Sequence, residues 1–90
     1  MSVDRLQDLA RALSTAAWFR DEGFTCLIVS ESELIVSRRE HVRGICRWVA
    51  DAGGSGSGGT FRYHETSSGG VRLEAQQTAE LVALLKPLLT

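Results

Sequence analysis

Apolar residues recur at Leu6, Leu9, Ala10, Leu13, Ala16 and Ala17, the three-and-four spacing that turns one side of a helix toward a core. Ser2 is placed to cap that helix, Asp4 lies in its first turn, and Gly23 supplies a left-handed stop. The period then changes. Residues 24–30 and 33–37 are short β-branched runs separated by the polar pair Glu31 and Ser32, a pattern that predicts a hairpin. Ser37, Arg38, Arg39 and Glu40 have the Ser-x-x-Glu form of a capping box, in which hydroxyl and carboxylate each satisfy an orphan backbone donor. Val42, Ile45, Cys46 and Val49 follow at helical spacing, so a second helix is predicted from this point, carrying Gly44 and ended by Gly53.

Residues 53–59 contain only glycine and serine, which bury nothing that would offset their ordering entropy, and they predict a flexible loop within the domain. Residues 60–66 and 71–74 alternate apolar and polar side chains around a Ser-Ser-Gly-Gly turn, the pattern of a second hairpin. From Ala75 onward Thr78, Leu81, Val82, Leu84, Leu85, Leu88 and Leu89 form a broad helical stripe, with Pro87 disturbing the last turn. The expected fold class is α+β, in the order helix-hairpin-helix-hairpin-helix. The expected sheet is four-stranded and mostly antiparallel, with helices packed mainly on one face. Residues 1–90 are expected to form a single domain.

The first hairpin is apolar on both sides. Phe24, Cys26, Ile28, Leu34 and Val36 share one parity, whereas Leu27, Val29 and Ile35 share the other. Either the C-terminal helix crosses the sheet to cover the second set, or Leu27, Val29 and Ile35 form an exposed patch of the kind that marks association surfaces. Trp18 and Phe19 raise a similar question, because they lie well away from the apolar stripe of the first helix. A helix that loosens near Ala17 would fold both rings beneath the turn at Gly23; an unbroken one would leave them for a partner.

Charge and chemistry narrow the function. A net charge of -1 gives the whole molecule no attraction for a phosphate backbone. Arg38, Arg39, Arg43 and Arg47 crowd the predicted second helix, yet Glu40 and Asp51 fall on the same outer side. His41 and His64 are not near any Cys-x-x-Cys pair, so no metal site or cofactor is expected. Cys26 and Cys46 fall in apolar surroundings, as reduced core thiols do, and no catalytic residue is assigned. The Gly/Ser stretch lacks the Gly-Lys-Ser/Thr ending of a phosphate cradle. No leader segment or apolar run near ~18 residues is found, so a cytoplasmic protein without a membrane partner is expected. Nine arginines against one lysine, with no asparagine, fit the coding bias of a high-GC bacterium, phage or plasmid. The expected function is a non-enzymatic protein-binding module of the inhibitor, immunity or chaperone type, binding a protein partner or a second copy through Trp18, Phe19, Leu27, Val29 and Ile35. The alternative is a nucleic-acid-binding or regulatory protein using Arg38, Arg39, Arg43 and Arg47.

Overall fold

A computed structural model describes residues 2–50, 58–67 and 70–90. Helix α1 (Ser2–Thr15) and the short α2 (Ala17–Asp21) lead into strands β1 (Phe24–Ile28), β2 (Glu33–Arg38), β3 (His41–Ala50), β4 (Gly59–Glu65) and β5 (Val71–Ala75). Helix α3 (Thr78–Leu89) comes last. The five strands form one antiparallel meander in the order β1-β2-β3-β4-β5.

This corrects the four-stranded, helix-hairpin-helix expectation. The segment expected to be the second helix is β3, the longest strand of the sheet. Its apolar residues lie at helical spacing because a bulge interrupts their alternation. Val36 pairs with Gly44 but Ser37 pairs with Val42, so Arg43 is the extra residue and parity shifts across it. Val42, Ile45 and Val49 then face one side of the sheet while Cys46 and Trp48 face the other. The supposed capping box is the end of β2 followed by a tight turn, in which Arg39 and Glu40 have φ of 48° and 74°. Positive φ at both central residues is the signature of the type I′ turn, whose twist matches that of the strands it joins.

Helices α1 and α3 pack against each other and against a single sheet face. Leu6, Leu9 and Leu13 from α1 meet Leu81, Leu85 and Leu89 from α3 over Leu34, Val36, Cys46, Phe61, Tyr63 and Ala75. Two sheet glycines make room for aromatic rings from neighbouring strands. A side chain at Gly44 would come within 2.5 Å of the Tyr63 ring and the His64 carbonyl oxygen, and one at Gly59 within 2.5 Å of the Trp48 indole. Rings laid over strand glycines restore the packing that the missing side chains forgo.

The first helix breaks at Ala16, where the Thr15 hydroxyl bonds back to the Arg11 and Ala12 carbonyls. The break swings α2 inward. Phe19 is 1% exposed and stacks on Phe24, and Trp18 is half-buried edge-on to both rings. The Arg38 guanidinium then ties the end of α2 to the sheet by donating to the Glu22 carbonyl at 2.8 Å and its carboxylate at 3.2 Å. Of the expected Gly/Ser loop, residues 53–57 lie outside the described residues, Gly58 is exposed and Gly59 opens β4.

Two stability predictions follow from the backbone. Replacing Arg39→Asn together with Glu40→Gly relieves left-handed strain and should raise unfolding stability by about 1 kcal/mol, read as a higher urea midpoint at unchanged slope. Gly44→Ala forces a side chain into the Tyr63 ring and should lower it by about 1–3 kcal/mol in the same assay.

Candidate functional site

Because α3 stays on the side of α1, the opposite sheet face carries no helix among the described residues. The register places one residue from every strand in a single row across that face. Leu27 is opposite Ile35, Ile35 opposite Ile45, Ile45 opposite His64, and His64 opposite Val71. Four of these five side chains are aliphatic, and the row is open to solvent at both ends, where Leu27 is 66% and Val71 46% exposed. Val29, Val42 and Val49 extend the apolar surface on either side and are also exposed. Covering a leucine-sized side chain completely is worth about 1.5–3 kcal/mol, so an aliphatic row left in water is a standing source of association energy.

The neighbouring row is charged. Glu33, Arg47, Arg62 and Glu74 lie opposite one another in register on β2 to β5. Arg47 bridges Glu33 at 2.7 Å and Arg62 bridges Glu74 at 3.1 Å. Exposed pairs of this kind contribute little to stability. Their effect is to leave each arginine of the face neutralised by its neighbour. A depression of about 340 Å³ lies over Ile45 and His64 of the first row, lined also by Arg47 on one side and by Val42, Glu65 and Thr66 on the other.

The four arginines of the nucleic-acid expectation do not share a surface, since the helix meant to align them is a strand. Arg38 bonds to Glu22 beside the Phe24 ring, and Arg43 lies over the same ring at 5.9 Å from its centroid. Arg39 occupies the β2–β3 turn, and Arg47 faces the open side, paired to Glu33.

Of the five residues expected to bind a protein, Leu27 and Val29 are exposed and Ile35 is half-buried within the open row. Phe19 is a core residue and Trp18 only half-exposed, because the helix break turns both toward Phe24. Val42, Ile45 and Val49 were read as a helical stripe and so escaped the sequence reading of this surface. Their signal was the β-branched character of residues 42–49, outweighed there by the helical spacing that the bulge mimics. A bulge between Tyr63 and His64 sets Val71 opposite His64 and so on the open face rather than on the side of Phe61.

The nucleophilic side chains lie on the other side of the sheet. Cys46 is fully buried and its thiol is pushed up to about 12 by burial and then by the nearby Cys26. Half-buried Cys26 is raised by desolvation, partly offset by its contact with Ser14. Tyr63 is raised to about 12, chiefly by burial, then by Cys46 and Glu65, with Arg43 opposing. Cys46 pairs with Tyr63 across β3 and β4, whereas His64 points the opposite way, so the backbone of the sheet separates the Cys46 thiol from the His64 imidazole. Among the described residues no three His, Cys, Asp or Glu side chains converge as metal ligands would, and no helix is long and apolar enough to cross a membrane. Comparisons with known protein families, curated proteins and solved structures give no match.

Raised thiol and phenol groups fix the sign of a pH effect. The fold favours their neutral forms, so this stabilisation is complete below the pH where unfolded thiols ionise, near 9, and is lost as pH climbs toward 12. The urea midpoint should therefore fall between pH 8 and pH 10.5, and Cys46 should resist an aromatic disulfide reagent at pH 8 until the chain is unfolded.

Proposed function

We propose that this chain is a non-enzymatic protein-binding module that acts by occupying a partner's surface with its uncovered sheet face. The reading is carried by the row that crosses all five strands from Leu27 to Val71, aliphatic at four of its five positions, with no helix above it among the described residues. A partner of matching chemistry is a protein presenting a flat, apolar and weakly charged surface. The local charge balance supports this choice, because a face whose Arg47 and Arg62 are already paired with Glu33 and Glu74 offers little to a polyanion. The separation of His64 from the buried thiols supports a binding role over catalysis, which needs a nucleophile and a base within hydrogen-bond reach.

Affinity capture from the native host should distinguish this surface from the rest of the molecule. Wild-type protein and a variant on the outer side of α1, Arg11→Glu, should retain the same partner. Ile45→Asp and Leu27→Asp should lose it, with affinity for the purified partner weakened about tenfold or more. Equal retention by all four proteins would defeat the reading, as would steep salt dependence with recovery of nucleic acid alone.

A further inference from the structure

The sheet has two edges, and they are built differently. β5 bears Arg72 and Glu74, is bulged against β4, and ties both charges down through Glu65 at 3.6 Å and Arg62 at 3.1 Å. Charges and a bulge are the devices by which natural sheets keep an edge from pairing with another chain. β1 has none of them. Its sequence, Phe-Thr-Cys-Leu-Ile, contains no charge and no proline, and its register against β2 runs without a break.

The hydrogen-bond phase shows what this edge presents. The Val29 N–H donates to the Glu33 carbonyl at 3.0 Å and the Arg39 N–H to the Gly23 carbonyl at 3.3 Å, bracketing β1 at both ends. In an antiparallel ladder inward-bonded residues alternate with outward ones, so Phe24, Cys26 and Ile28 turn their N–H and C=O groups away from β2.

We propose that β1 pairs with β1 of a second copy, antiparallel across a twofold axis at Cys26, joining the two meanders into one continuous sheet. An uncharged strand can lie against itself without opposing like charges, which a strand carrying Arg72 and Glu74 cannot do in every register. The axis sets Phe24 across from Ile28 of the second copy and Thr25 across from its Leu27. Leu27, the most exposed of the large aliphatic side chains, thereby gains a diagonal neighbour in its own symmetry mate, and the aliphatic rows of the two copies become continuous. On the helix side, α2 packs on α1 and β1, which brings half-buried Trp18, 6.2 Å from the Phe24 ring, to the same margin. The isologous contact is closed, so assembly stops at two. Pairing through this edge leaves the open face free and does not depend on the protein partner proposed above.

Sedimentation of the full chain over a concentration series tests the pairing. The wild type should reach twice its 9.8 kDa chain mass. Thr25→Lys puts a charge on an exposed edge position, and Cys26→Pro deletes an outward N–H where an edge strand tolerates proline. Each should weaken the dimer about tenfold or more with the circular dichroism of the fold retained. Ile45→Asp, two strands away, should leave the dimer intact. A wild type that stays monomeric throughout overturns the proposal, as does a dimer indifferent to both edge variants or one abolished by Ile45→Asp. Loss of partner capture by Ile45→Asp while the dimer persists bears only on the open-face reading.

Discussion

The grip of α1 on α3 over one side of the sheet is the constraint from which the other features follow. Leu6, Leu9 and Leu13 share one buried cluster with Leu81, Leu85 and Leu89, α1 lying over β1 to β3 and α3 beside it against β5. A chain of this length has helix enough for one layer. Once both long helices are committed to each other, neither can roof the far side, and whatever the alternation of the strands sends there remains in contact with water. In β1, β2 and β3 it sends Leu27, Ile35 and Ile45, which a half-solvated antiparallel sheet would ordinarily replace with polar residues. Their presence is the feature on which the proposed binding role rests.

Much of this arrangement was legible in the residues. The helical stripe from Leu6 to Leu13 and the C-terminal leucine stripe show the helical period, while the first hairpin is marked by its short β-branched runs and the polar pair between them. The segment from Ser37 to Ala50 was misread because two signals of local structure coincided by chance. Ser-x-x-Glu fits a capping box, and a bulged strand with apolar residues on both faces yields the spacing of a helix. What separates the cases is tertiary: Gly44 fits because Tyr63 fills its place, and Arg39 and Glu40 accept left-handed backbone because two strands must meet there. Neither condition is visible locally. The misreading also hid Ile45, the centre of the aliphatic row, and with it the continuity of the surface across the whole sheet.

The break at Ala16 shows the same dependence in the other direction. An unbroken helix through Trp18 and Phe19 would have carried two aromatic rings into solvent. Ending α1 at Thr15 lets Phe19 stack on Phe24 and anchors the start of β1 from one side, while Arg38 anchors it from the other through Glu22. β1 is thus well held along the helix face and along β2, while its outer margin carries neither a charge nor a bulge. That asymmetry is what gives the edge meaning. A strand that was poorly held throughout would expose its backbone through fraying; one fixed on two sides presents its outward N–H and C=O groups in a rigid, preorganised line, which lowers the cost of pairing.

The sheet also divides the reactive groups of the chain. Cys46 and Tyr63 face the helix layer, where desolvation holds both in their neutral forms, and His64 faces water between Ile45 and Val71. General acid-base or nucleophilic chemistry requires such groups to converge on one point, and an antiparallel ladder separates side chains of opposite parity by the thickness of the backbone. The same ladder that keeps these groups apart brings Leu27, Ile35, Ile45 and Val71 into line. In this fold the sheet organises apolar surface rather than titratable groups, and the association roles proposed above rest on that arrangement.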